Sequence, residues 1–205
     1  IPQCLNQSAS CPRVSAFLPR VLLFFYVLLA TCYVLVPATA AAEYIEEFTS
    51  DVAVREDATI EVTESIRYVF TEARHGIFRD IPLSHPQEAR ENWKDRVIAI
   101  DLLSVTMDGE HVPYVLESTN DRFMVRIGDP NGTIEGTHTY DIAYTVTGGL
   151  WYSSTEGTEL YFNVTGNEWQ VPINSVIATV HDPDQLFKSA RSCYSGVLGS
   201  TSGSC

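Results

Sequence analysis

The chain has 205 residues, with 26 acidic and 13 basic side chains and a formal net charge of −13. All the acidic residues follow residue 42, so residues 43–205 carry a formal charge of −15. Such a surface repels phosphate backbones, which argues against nucleic-acid binding. These 163 residues are enough for one domain with a core of its own.

The first 42 residues have the composition of a secretory leader. A start with two arginines precedes a mostly apolar run over 21–36 and a run of alanines. This order is typical of a signal peptide, and we expect an apolar helix that is cleaved after Ala40 or Ala42. An uncleaved anchor stays open, and so does a lipoprotein, because residues 29–32 loosely resemble a lipid-attachment box.

Alternation of apolar and polar residues dominates the rest of the chain and predicts an all-β domain. The expected strands cover 48–54, 60–70, 97–106, 112–116, 123–127, 138–146, 159–164 and 176–180. Asp108-Gly109 is a strong hairpin signal between two of them. Only residues 86–95 favour a helix. Short strands with regularly spaced turns are typical of an antiparallel β-sandwich of immunoglobulin-like style.

Residues 73–82, Ala-Arg-His-Gly-Ile-Phe-Arg-Asp-Ile-Pro, are the strongest candidate for a functional site. In a functional interpretation, Arg79 and Arg74 bind an anionic ligand. His75 and Asp80 would then form a proton-transfer pair.

A structural interpretation of the same segment accounts for more of its residues. Gly76 allows a tight or left-handed backbone conformation. Arg79 or Arg74 would neutralise Glu64, which interrupts the apolar face of the strand over 60–70. We therefore predict a structural motif made of His75, Gly76, Arg79 and Asp80.

Residues 161–169, Tyr-Phe-Asn-Val-Thr-Gly-Asn-Glu-Trp, form a second notable run. An aromatic side chain with polar neighbours would suit a glycan or peptide cleft. The structural alternative is a strand that ends in a glycine turn, with Trp169 packed on the core. The candidate binding residues across both runs are Arg79, Asn163, Glu168 and Trp169.

Known catalytic and metal-binding motifs are absent from the sequence. There is no nucleophile elbow, phosphate-binding loop, H-E-x-x-H or C-x-x-C, and the five histidines are scattered. The acidic loop over 129–135 favours an ordinary turn over a calcium site. We expect no catalytic residue, no metal and no cofactor.

Two cysteines, Cys193 and Cys205, follow the leader. In an exported chain they favour one disulfide, which would close a short Gly/Ser-rich loop. The chain-entropy model gives such a loop a stabilisation of about 3 kcal/mol.

Three features in this order resemble a known bacterial family. They are the segment 75–82, the run 161–169 and the loop 193–205. Together they resemble the predicted membrane proteins called domain of unknown function 2207. The resemblance implies a signal peptide, an extracytoplasmic β-domain and transmembrane helices further on. It supplies no reaction, so it assigns no catalytic residue.

We therefore expect a signal peptide over 1–42, an extracytoplasmic β-sandwich over 43–192, and a disulfide loop over 193–205 that leads to a transmembrane part of a longer protein. The predicted role is a non-catalytic interaction or structural module at the cell envelope, with the membrane and an envelope protein or glycan as partners. The alternatives are a glycan- or peptide-binding module and an envelope hydrolase that uses His75 with Asp80 or Glu168.

Overall fold

The computed structural model describes residues 42–83, 98–119, 121–153, 157–182, 187, 192–197, 200 and 202–203. These residues contain eleven strands and no helix, which confirms the all-β prediction. None of their elements is a helix long and apolar enough to span a bilayer. The predicted leader, apart from its last residue, and the predicted helix over 86–95 lie outside the described residues.

The strands are β1 (Tyr44–Val54), β2 (Ile60–Arg74), β3 (Ile77–Pro82), β4 (Ala99–Met107), β5 (Glu110–His111), β6 (Tyr114–Ser118), β7 (Arg122–Ile127), β8 (Ile134–Thr147), β9 (Leu150–Ser153), β10 (Gly157–Leu160) and β11 (Val176–His181).

The largest sheet has six strands in the order β11-β1-β2-β8-β4-β5. Its neighbours pair antiparallel, except that β11 runs parallel to β1. The prediction of a purely antiparallel arrangement is therefore wrong at this edge. A hairpin forces antiparallel pairing, but β11 reaches β1 by a long connection that permits either direction.

A second sheet contains β3, β7 and β6 in that order, and a third contains only β10 and β9. The second half of the segment 73–82 is the edge strand β3, which was not predicted. The predicted strand over 159–164 is also displaced: β10 ends at Leu160, and residues 161–169 form a loop. Strand β9 was not predicted.

The predicted faces of the central strands are confirmed. On β2, the side chains at positions 60, 62, 66, 68 and 70 are buried, and so are those at 140, 142, 144 and 146 on β8. The hairpin at Asp108-Gly109 is also confirmed, since both residues have positive φ and Met107 pairs with Glu110. Local alternation and turn chemistry therefore build most of the framework.

A buried charged pair joins the two larger sheets. Arg79 on β3 and Glu64 on β2 are both fully buried, although they belong to different sheets. The buried apolar side chains of both sheets belong to one hydrophobic cluster. This pair is the centre of the candidate site.

Candidate functional site

Strand alternation points Arg79 into the core. It lies between the buried Ile77 and Ile81, so its side chain shares their face of β3. Its guanidinium meets the Glu64 carboxylate in a bidentate ion pair, with Nε to Oε2 and Nη2 to Oε1 both at 2.6 Å. One of the two partners predicted for Glu64 is thereby confirmed.

Backbone carbonyls take up the remaining donors of Arg79. Nη1 donates to the carbonyl oxygens of Asp80 at 2.7 Å and of Thr165 at 2.9 Å. Nη2 donates to the carbonyl of Val164 at 3.1 Å. An arginine has five N–H groups, and here each of them has an acceptor.

Tyr144 on β8 adds a hydrogen bond to the ion pair. Its hydroxyl donates to Oε1 of Glu64 at 2.7 Å. Burial opposes the charge of Arg79, but the Glu64 carboxylate outweighs this and raises the pKa of Arg79 above its ordinary value. Burial, and then the negative charge of Glu64, raises the pKa of Tyr144 as well. The guanidinium therefore stays protonated and the phenol stays a neutral donor.

The loop 161–169 is shaped to cover Arg79. The side-chain oxygen of Asn163 accepts the Gly166 N–H at 3.0 Å, and the indole N–H of Trp169 donates to the Thr165 carbonyl at 2.8 Å. Gly166 has φ +76°, and a Cβ there would lie 2.7 Å from Nη1 of Arg79. A glycine is required because the loop backbone approaches the guanidinium so closely.

Aromatic rings enclose the same guanidinium. The ring of Phe48 lies 5.3 Å from Cζ of Arg79, a cation–π distance. Trp169 meets Phe48 edge-on, with ring centroids 6.4 Å apart. The half-buried indole thus packs on the core, as its structural interpretation predicts.

Two facing glycines start β3. Gly76 and Gly128 have φ values of +135° and +140°. A Cβ on Gly76 would lie 1.9 Å from the carbonyl oxygen of Ile127, and one on Gly128 would lie 1.8 Å from that of His75. Neither position has room for a side chain, so this contact requires glycine both before β3 and after β7.

A second charged cluster, with the half-exposed Arg122 and Glu168 and the buried Asp80, involves the residue next to Arg79. Arg122 contacts Glu168 at 2.6 Å and Asp80 at 3.4 Å. Burial raises the pKa of Asp80, Arg122 opposes this, and Glu168 adds to it. Through Arg122, this cluster joins one residue of each sequence motif.

The sequence-predicted site residues divide into two groups. Arg79, Asn163 and Trp169 come together, but their polar groups bond within the fold, and Arg79 has no surface to offer a ligand. Asp80 and Glu168 lie together around Arg122.

His75 lies apart from both groups. It is exposed, and its Nδ1 lies 2.6 Å from the carbonyl oxygen of Gly132. The Asp80 carboxylate faces a different partner, Arg122 at 3.4 Å. The geometry therefore does not form the proton-transfer pair of the hydrolase hypothesis.

Several residues of the site were not predicted from the sequence. Tyr144 was assigned to the core face, but nothing local pointed it at Glu64. Phe48, Arg122 and Gly128 come from other strands, and their roles depend on strand pairing. Gly166 carried a usable signal, since the Val-Thr-Gly-Asn run is typical of a glycine turn.

The other predicted features add no second site. The described residues contain no group of three His, Cys, Asp or Glu side chains placed for a metal. In the loop after β7, Asp129 Oδ1 accepts the Asn131 N–H at 2.8 Å, as in an ordinary turn. Cys205 lies outside the described residues, so its disulfide with Cys193 stays a prediction. Ser195 and Ser202 form a β-bridge within that loop.

The family is shown by a family model that matches residues 44–202. The chain belongs to the family described as predicted membrane protein (DUF2207), N-terminal domain, as the resemblance implied. A search of the curated proteins gave no match.

Solved structures similar to this chain include native yeast LTA4 hydrolase, with 12% identity and a TM-score of 0.46 over 69% of this chain. The M1 zinc metallopeptidase from Deinococcus radiodurans has 10% identity and a TM-score of 0.41 over 67% of this chain. The matched parts cover only 23% and 32% of those proteins. With TM-scores this low, the likeness carries no functional argument.

Proposed function

We propose that this domain is a non-catalytic interaction or structural module on the extracytoplasmic side of a bacterial membrane protein. The proposal depends on the hydrogen bonds of Arg79, which leave none of its donors for a ligand. The residue best suited to hold an anionic ligand has five donors, and all five are used inside the fold. The motif is therefore used to join two sheets and a loop.

Membership of a predicted-membrane-protein family supports the membrane part of this proposal. The leader-like segment over 1–42 and the acidic composition of the remainder support export. In the oxidising compartment that export reaches, a Cys193–Cys205 disulfide would persist.

The proposal includes an immunoglobulin-like sandwich of the two larger sheets. The Arg79–Glu64 pair supports it, because an ion pair between β3 and β2 requires the inner faces of the two sheets to face each other. The parallel strand β11 is a local departure from the usual all-antiparallel pattern.

Location can be tested by thiol labelling. Ser118→Cys on the exposed strand β6 is treated with a membrane-impermeant maleimide in intact cells, with Val125→Cys, a fully buried position, as the matched control. We expect labelling at position 118 above that of the unsubstituted protein. Labelling that needs permeabilised cells would overturn the extracytoplasmic assignment.

The absence of catalysis can be tested separately by complementing a strain that lacks the gene. We expect His75→Ala and Glu168→Gln to restore the strain fully, because neither side chain supports the fold from a buried position. Loss of complementation at a normal protein level would favour the hydrolase or binding alternative.

A further inference from the structure

The outermost strand of the six-stranded sheet, β11, is uncovered on both faces. All six of its residues are exposed, including Val176 at 48%, Ile177 at 50% and Val180 at 50%. Exposed apolar side chains on both faces of an edge strand are a template for pairing with another chain. Strand β11 can therefore pair with another chain along its outer edge.

The backbone of β11 shows which groups would bond to that chain. The Phe48 N–H donates to the Ser175 carbonyl at 2.9 Å, and Phe48 is the register partner of Val176. In a parallel ladder the bonds alternate along each strand, so Ile177 and Thr179 bond to β1. The N–H and C=O groups of Val176, Ala178 and Val180 consequently point away from β1, to an edge that no other described strand covers.

Strand β11 differs in its charge from the other outer strands of the two larger sheets. Strand β5 carries Glu110, β6 carries Glu117 and β3 carries Asp80, whereas β11 has no carboxylate. The single titratable side chain of β11 is His181, whose Nε2 lies 2.9 Å from Asp51 of β1. In a domain of charge −15, this edge is the one where two copies would meet without opposing carboxylates.

We propose that β11 pairs antiparallel with β11 of a second copy, about a twofold axis at Ala178. This register places Val176 opposite the partner's Val180 and Ile177 opposite the partner's Thr179, so every free backbone group at the three outward positions is bonded. Pairs of β-branched residues stabilise such a ladder, and the contact is isologous. The inference rests on the proposed interaction role and names its partner.

The contact joins only six residues of each chain, less than a standard interface of about 800 Å² per partner. A stable dimer of the free domain is therefore not expected. Tethering in one membrane raises the effective concentration of the two copies and favours the pairing.

Cysteine cross-linking of the full-length protein in its membrane tests this register. Two Ala178 positions would form a hydrogen-bonded pair with Cα atoms about 5.5 Å apart, within the range that a disulfide spans. We expect Ala178→Cys to give a reducible band at twice the protein's mass under mild oxidation. Ser118→Cys, on the exposed edge strand β6, is the matched control and should stay at the level of the unsubstituted protein.

A second substitution tests whether strand pairing produces the band. In the Ala178→Cys background, Thr179→Lys should reduce the dimer band at least severalfold at an unchanged protein level, whereas Thr179→Val should keep it. A band at position 178 no stronger than at 118 would overturn the proposal. A reducible adduct of another mass would indicate that β11 binds a different protein. It would overturn the pairing with a second copy but leave the proposed interaction role intact.

Discussion

Two arginine–carboxylate pairs lie side by side in this domain, and they differ in burial. Arg79–Glu64 and Arg122–Glu168 both have nitrogen–oxygen distances of 2.6 Å. The first pair is 0% exposed on both sides, whereas the second is 45% and 47% exposed. The two pairs therefore share a nitrogen–oxygen distance but differ in their exposure to water.

The difference shows why one pair organises the fold and the other does not. Water would compete for every donor of Arg122, but Arg79 has only protein acceptors, and these come from three separate parts of the chain. Removing one partner of a buried pair leaves an uncompensated charge in the core. Removing one partner of an exposed pair leaves a solvated side chain.

The largest effect is expected from Arg79→Met. It leaves the buried Glu64 without its cation and should lower the free energy of unfolding by about 3–5 kcal/mol, measured by equilibrium urea denaturation. The double variant with Glu64→Leu is the control and should recover part of the loss, because it removes both charges. A loss below about 1 kcal/mol for the single variant would show that the pair is not what holds the two sheets together.

Gly76→Ala should be next in size. Its Cβ would lie 1.9 Å from the Ile127 carbonyl oxygen, so the start of β3 must shift, in addition to about 1–3 kcal/mol of backbone strain. Gly109→Ala is the matched control, with a positive φ but no atom within 4 Å of the added Cβ. Thermal denaturation should show the larger loss at position 76, and equal losses would contradict the close-approach argument.

Tyr144→Phe tests the hydrogen bond that Tyr144 donates to the buried pair. It removes a hydrogen bond to a charged carboxylate, which should cost about 1.5–3 kcal/mol in urea denaturation. Tyr140→Phe on the same strand is the control. Its buried hydroxyl has no hydrogen-bond partner in the described structure, so its removal should be neutral or stabilising. The reverse order of the two variants would contradict this assignment.

Glu168→Gln should change the free energy of unfolding by less than about 1 kcal/mol, because its pair with Arg122 is exposed. It should also lower the pKa of Asp80, since Glu168 is one of the groups that raise it. NMR titration of the Asp80 carboxyl measures that shift, and an unchanged pKa would mean that the two carboxylates do not interact.

The smallest effect is a pH dependence at Asp80. Its pKa in the folded protein is raised above the ordinary 3.8. Its contribution to stability is therefore fully present below pH 3.8 and is lost as the pH rises through the folded pKa. Relative to wild type, Asp80→Asn should gain stability between acid and neutral pH in urea denaturation. A difference that is independent of pH would contradict the raised pKa.

The sequence predicted several residues of the candidate site, but it did not decide which arginine pairs with Glu64. Glu64 on an apolar face called for a cation, and Arg79 was one of two candidates. Choosing between Arg79 and Arg74 required the tertiary structure, in which Arg74 is half-exposed and pairs with Glu43 and Glu72. His75 and Asp80 are close in the sequence, but His75 contacts the Gly132 carbonyl and Asp80 contacts Arg122.

By itself, the sequence determined the all-β class, the core faces of β2 and β8, and the hairpin at Asp108-Gly109. These features depend on alternation and turn chemistry, which act over a few residues. Only the tertiary structure decided that β11 runs parallel to β1 and that the carbonyls of Val164 and Thr165 meet Arg79. Such contacts join residues more than 80 positions apart, and local patterns do not encode which distant backbone atoms will meet a buried charge.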